Sequence, residues 1–192
     1  MKLFIFMIFM IFSINMTFSN DYVIYNTKTK KSISIDEMAQ LSQKFDVIFF
    51  GEFHDDSIVH NIQVEYNDKM FGINKNTVVS MEMFERDVQN ILNDYLNGKI
   101  SEEEFLKNSR PWPDYKKFYR GIVETAKSNN SPVLAANIPR KYAAMYASGG
   151  MTAISKLPDS VKPFITRSML INDGNYMDKF FETMAARNKK DH

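Results

Sequence analysis

With 192 residues, 44% of them apolar and 24% charged, the chain can bury a sizeable core and lies outside the composition of disordered or fibrous proteins. Its 24 basic and 23 acidic residues leave a net charge of +1, which excludes the dense positive surface of a general nucleic-acid or anionic-membrane binder. There is no cysteine, so the fold relies on its core rather than on disulfides, and both a thiolate metal ligand and a cysteine-linked lipid are excluded.

The chain opens on a different material. Lys2 precedes the unbroken apolar run Leu3–Phe12, and Thr17-Phe18-Ser19 places small residues at the −3 and −1 positions of a cleavage site. This pattern reads as a secretory signal peptide over residues 1–19. The apolar run is too short for the roughly 20 residues a membrane-spanning helix needs. The expectation is an exported, periplasmic protein, soluble or peripherally membrane-associated.

Tyr22–Tyr25 and Ser32–Ile35 read as a β-hairpin at a sheet edge, followed by a helix capped by Asp36 with Met38, Leu41 and Phe45 on one face. Val47–Phe50 is continuously apolar, the signature of a strand buried on both faces of a parallel sheet. Asp55, Asp56 or Ser57 caps the next helix, where Ile58, Ile62, Tyr66 and Met70 form the expected core stripe and Gly72 the end. Residues 77–83 form a second strand, 86–96 a helix, and Ser101 to Glu104 the start of another helix with a capping-box spacing. Arg110-Pro111-Trp112-Pro113 breaks the chain. Asp114 then opens a helix with Tyr115, Phe118, Tyr119, Ile122, Val123 and Ala126 on one face, and Val133–Ile138 is the third strand.

Strands alternating with helices imply an α/β three-layer sandwich with a mostly parallel sheet. The α/β domain is placed at 20–139. Residues 140–187 read as a small helical subdomain, broken at Gly149-Gly150 and Pro158, with further helices over 161–170 and 175–187. Residues 188–192 form a charged tail. A further strand is expected after the last helix, so the domain reads as C-terminally incomplete.

In a parallel sheet the ends of successive strands share one edge, where ligands are usually received. That edge would collect Glu52 and His54 from the first strand, Glu82 from the second, and Asn137 and Arg140 from the third. Each has a plain structural explanation: Glu52 at a helix start, Glu82 paired with Arg86 or Arg140, Asn137 in a turn. His54 and His60 lie six residues apart and so are not a metal-binding i,i+4 pair. Measured from the Ile58-Ile62-Tyr66 stripe, His60 points away from the core, toward solvent or an interface. The last fifty residues are rich in Tyr, Phe and Met, either as a small helical core or as the wall of a flat apolar pocket, with Tyr142 and Tyr146 one helical turn apart.

Gly51-Glu52-Phe53-His54-Asp55 with His60, Met81-Glu82-Met83-Phe84, and Ala135-Ala136-Asn137-Ile138-Pro139-Arg140 together resemble the ChaN-like haem-binding proteins over residues 40–187. The resemblance implies an α/β sandwich with a small helical domain, haem as cofactor in iron-regulated uptake, a tyrosine as iron ligand and a dimer closing over the haem. On this reading the protein is a carrier rather than an enzyme, working beside an outer-membrane receptor or transport system. Tyr142 or Tyr146 would ligate iron, Arg140, His54 or His60 would contact the propionates, and Glu52, Glu82 and Asn137 would form a polar floor. The Gly-x-x-His start is also similar to the erythromycin-esterase-like group. There Glu52, His54 and Glu82 would activate water for ester hydrolysis, with or without a metal.

Overall fold

The structure, a computed structural model, describes residues 22–165 and 175–188. The expected leader, part of the helix expected over 161–170 and the end of the tail lie outside these residues. Strands β1 (Ile24–Asn26) and β2 (Lys31–Ile33) form an antiparallel hairpin. The Asn26 side chain closes its turn by accepting from the backbone N–H groups of Lys28 and Thr29, both at 3.0 Å. The hairpin is a sheet of its own rather than the edge of a larger one.

Helix α1 (Ile35–Ser42) is capped two residues earlier than expected, at Ser34 rather than Asp36. Ser34 is the N-cap: its hydroxyl accepts from Glu37 N–H while the Glu37 carboxylate takes the Ser34 N–H at 2.8 Å, a complete capping box. Ser34→Ala is therefore expected to cost about 0.5–2 kcal/mol, read as a lowered midpoint in thermal unfolding. Helix α2 (Ser57–Ile73) starts where expected, with the Asp56 carboxylate accepting from Ile58 and Val59 N–H. Ile35, Ala39, Tyr66 and Met70 lock α1 onto α2.

The segment between these helices departs from the expectation. Val47–Phe50 is not a strand, and it pairs with nothing among the described residues. Val47 is 66% and Phe49 93% exposed. Apolarity makes a segment competent for a buried strand, but a strand exists only where a neighbouring edge supplies its hydrogen bonds.

β3 (Val79–Glu85) and β4 (Val133–Asn137) form the expected parallel pair, with Val79 opposite Val133 and Met81 opposite Ala135. A register shift between Met81 and Glu85 sets Glu85, rather than Glu82, beside Asn137. The side chain of Arg86 fills the irregularity by donating to Ala136 O at 3.1 Å. Gln89 supports β4 in strand-like fashion, accepting from Ala135 N–H and donating to Val133 O. The mixed α/β architecture with parallel pairing stands. In the described residues this sheet has two strands and one covered face, since Ser80, Glu82 and Leu134 on the other face are exposed.

The covered face holds the main core. A 3-10 turn, Arg86–Val88, leads into α3 (Gln89–Leu96), and α4 (Glu102–Ser109) follows with Ser101 as its cap. Arg110, at φ +51°, ends α4 in a left-handed conformation. A π turn over Tyr115–Tyr119 runs into α5 (Arg120–Ser128). The predicted apolar face is buried in full: Tyr115, Phe118, Tyr119, Ile122, Val123 and Ala126 pack with Met81, Met83, Phe84, Leu92, Phe105 and Val133. α5 meets α2 closely at Gly121, where a Cβ would stand 2.8 Å from Val64 Cγ2. α6 (Arg140–Ser155) is two helical pieces broken at Gly150, whose φ of +58° suits glycine, as the Gly149-Gly150 pair suggested. A 3-10 turn at Asp159–Phe164 and helix α7 (Asn175–Asn188) complete the helical part. Tyr142, Ile154 and Ile165 form its small core, with Tyr146 packed against it.

Candidate functional site

The site grows from the Asp56 cap. By starting α2 at Ser57, the cap leaves Glu52 and His54 on the irregular approach to the helix and carries His60 and Gln63 along its first turns. All four side chains converge. Glu52, only 9% exposed at its side chain, accepts from Gln63 Nε2 at 2.6 Å, from the Tyr119 hydroxyl at 3.0 Å and from His54 Nδ1 at 3.0 Å. His60 Nδ1 lies 3.5 Å from the same carboxylate.

His60 corrects the sequence reading. It is 2% exposed, stacked on Phe118 at 4.7 Å and set edge-on to Tyr119 at 4.9 Å. The reason is geometric: each i+4 step advances about 40° around a helix, so Ile58, Ile62, Tyr66 and Met70 walk across the surface instead of marking one line. The face that packs is His60, Gln63, Tyr66, Met70 and Phe71, while Ile58 at the start of the supposed stripe is 44% exposed. The Gln63 placement at i+3 from His60 is the signal that would have revealed it.

Hydrogen-bond logic fixes the polarity of this network. Gln63 turns its amide N–H toward Glu52, so its carbonyl faces His60 Nδ1 at 2.9 Å. His60 Nε2 faces the His54 backbone carbonyl at 3.1 Å. Both ring nitrogens meet acceptors, and the Glu52 carboxylate lies beside the ring. Burial pushes the Glu52 carboxyl up, but bonds from His54, Gln63 and Tyr119 and the nearby His60 outweigh it and hold it below its ordinary value of 4.5. Burial and the bond to Glu52 push the Tyr119 hydroxyl in the opposite direction, well above its usual range.

His54 faces outward from this network, its side chain 57% exposed. With Nδ1–H committed to Glu52, its Nε2 is the nitrogen with lone pair to offer, the orientation a carboxylate imposes on a ligand or base histidine. The His54 ring lies edge-on to Trp112 at 4.9 Å, and Trp112 is part of the wall of an open cavity of about 800 Å³. That volume is within the range of small-molecule sites. Met83, Pro111, Trp112, Pro113 and Ile138 make its apolar surface, and Glu85, Asp87, Arg110, Asn137, Arg140 and Lys141 its polar one.

The cavity thus joins two of the expected residues, Asn137 and Arg140, to five that sequence reasoning missed: Glu85, Asp87, Arg110, Trp112 and Lys141. Arg110 Nη2 donates to Glu85 at 3.0 Å and to Asp87 at 2.6 Å, and Lys141 Nζ lies 3.3 Å from Asp87. Arg140 makes no ion pair among the described residues, so neither it nor Arg86 pairs with Glu82. Glu82 stands exposed in the middle of β3, outside both the network and the cavity wall. Among the described residues no group of three or more His, Asp or Glu side chains is placed to hold a metal ion.

Tyr142 and Tyr146 point elsewhere. Arg140, Lys141 and Ala143 of α6 line the cavity, whereas Tyr142, 9% exposed, and the half-buried Tyr146 belong to the small core with Ile154 and Ile165. The Lys141 ammonium lies over the Tyr142 ring, 4.9 Å from its centroid.

Residues 38–192 match a family described as haem-binding uptake, Tiki superfamily, ChaN. Among solved structures, one described as cofacial heme binding to ChaN of Campylobacter jejuni superposes with a TM-score of 0.67 at 23% identity. The alignment covers 89% of this chain and 65% of the Campylobacter chain, so the likeness is one of fold over about two thirds of the longer protein. No curated protein matches the chain.

Proposed function

The chain belongs to the haem-binding uptake family of the Tiki superfamily, ChaN, and from that premise we propose that this protein binds haem as cargo in haem and iron acquisition. The observation that carries the reading is the cavity: a tryptophan and a proline-flanked apolar wall beside three cations, Arg110, Arg140 and Lys141. Haem is a flat apolar macrocycle with two carboxylates, and this donor set fits both halves. The rings would lie against Trp112, Met83 and Ile138, and the carboxylates would meet guanidinium and ammonium groups, with Arg able to bind bidentately. When bound, the group would supply a ferric centre that takes a protein ligand.

His54 borders the same cavity through Trp112, and with a proton on its outward Nε2 it would donate to a propionate. His60 has no such role, since it is buried in the network that aims His54. The iron ligand is proposed to be a tyrosine of α6; because neither Tyr142 nor Tyr146 lines the cavity of its own chain, the haem would lie between two copies of the chain, with the more exposed Tyr146 favoured over Tyr142. Export to the periplasm and delivery by an outer-membrane receptor or transport system complete the proposal, on the strength of the signal-like Leu3–Phe12 run.

A haemin titration followed by visible spectroscopy tests the reading. Saturable binding with a high-spin tyrosinate-type spectrum is expected, together with loss of that spectrum in Tyr146→Phe. A spectrum unchanged in both Tyr146→Phe and Tyr142→Phe would remove the tyrosine assignment. No spectral change on titration would remove haem carriage itself.

A further inference from the structure

The cations of the cavity already hold a carboxylate. Asp87 sits in the short 3-10 turn after β3, with its side chain 16% exposed. Arg110, from the end of α4, approaches its Oδ1, and Lys141, from the first turn of α6, approaches its Oδ2. The two cations come from segments far apart in the chain and are 52% and 61% exposed at their side chains, free to re-aim, whereas Asp87 is fixed on its turn. The bond to Asp87 holds the Lys141 ammonium above its usual value.

We propose that Asp87 is an internal stand-in for a ligand carboxylate, competing with the bound ligand for Arg110 and Lys141 and thereby setting how tightly and selectively the cavity takes dicarboxylates. This rests on the reading that the ligand carries carboxylates. Charge gives the direction. Three cations and two carboxylates line the cavity, leaving one net positive charge. A dicarboxylate turns the filled cavity net negative. Without the Asp87 charge the same filled cavity is neutral, Lys141 no longer has to leave a partner before pairing with the ligand, and Arg110 has only Glu85 to leave. An internal carboxylate of this kind weakens every anion, and only a ligand offering two carboxylates and a large apolar face overcomes it.

Trp112 is the only tryptophan in the chain and lies on the cavity wall, so its emission reports occupancy directly. Quenching by protoporphyrin IX, the iron-free dicarboxylic acid, is compared in the wild-type protein and in Asp87→Asn, which keeps the shape and an acceptor oxygen while removing the charge. The expected result is a dissociation constant about tenfold lower in Asp87→Asn, with no gain for the dimethyl ester, whose carboxylates are blocked. Equal or weaker binding of the free acid in Asp87→Asn would overturn the proposal, making Asp87 a residue that merely holds the cations in place. An equal gain for the ester would overturn it too. If protoporphyrin quenches neither protein, the porphyrin does not enter this cavity without its iron, the haem reading is left to the haemin titration, and anilinonaphthalene sulfonate, an aromatic anion, decides the Asp87 proposal alone. Tighter binding of that probe in Asp87→Asn keeps the proposal, and unchanged binding ends it.

Discussion

Glu52→Ala is expected to cost about 3–5 kcal/mol of folding stability, since several partly buried donors lose one acceptor together, each at about 1–3 kcal/mol. The loss is large because the carboxylate is shared. The substitution strips the acceptor from Gln63 Nε2, the Tyr119 hydroxyl and His54 Nδ1 at once, and removes the carboxylate beside His60. A lowered midpoint in urea unfolding measures it. A change under about 1 kcal/mol would mean that water replaces the network readily, contrary to the burial of Glu52 and His60.

The same group carries a pH dependence of definite sign. The folded-state carboxyl titrates below its ordinary value of 4.5, because three hydrogen bonds and His60 outweigh the opposing effect of burial. A depressed folded value stabilises the fold above the unfolded value, and that contribution disappears as pH falls through the folded value. Stability is expected to fall below about pH 4.5 in the wild type and less steeply in Glu52→Gln, which has no charge to lose there. Parallel acid profiles of the two proteins would exclude Glu52 as the source. The His54 orientation should change with it, since Glu52 fixes which ring nitrogen carries the proton. Imidazole NMR of Glu52→Gln reports that tautomer.

Phe105→Ala is expected to cost about 3–5 kcal/mol, the range for removing a fully buried phenylalanine. Phe105 is 0% exposed and lies flat on Tyr95, with ring centroids 4.5 Å apart and planes 9° from parallel. Phe84 and Tyr115 close around it at 5.7 and 5.8 Å, so the cavity left behind would have rigid aromatic walls that collapse poorly. Phe49→Ala is the contrasting case. Phe49 is 93% exposed, and its truncation is expected to change stability by no more than about 0.5 kcal/mol. Sequence reasoning alone would have ranked the two the other way, since Phe49 belongs to a four-residue apolar run and Phe105 follows three glutamates. Thermal or urea unfolding of both variants decides the order.

That reversal marks where local information stops. The start of α2 at Asp55 to Ser57, the Ser101 cap, the helical face from Tyr115 to Ala126 and the break at Gly150 all follow from neighbours within a few residues. Caps and periodicity are short-range physics, and the chain carries them wherever it goes. Membership of a haem-binding uptake family was legible for a related reason, because three short motifs occur in order along the chain.

The site itself depended on distance. Whether Val47–Phe50 becomes a strand depends on a partner edge, and whether His60 is buried depends on which side of α2 receives α5. Asp87 and Arg110 are 23 residues apart and Glu52 and Tyr119 are 67, spacings at which no periodicity operates. Three cations from two elements became one cavity wall only when α4 and α6 met across the end of β3. The chemical capacity of Glu52 and His54 is legible from residue type and order alone. Their burial, their partners and the outward turn of His54 came from the packing of α2 against α5, because desolvation and hydrogen-bond geometry belong to the folded neighbourhood rather than to the residue.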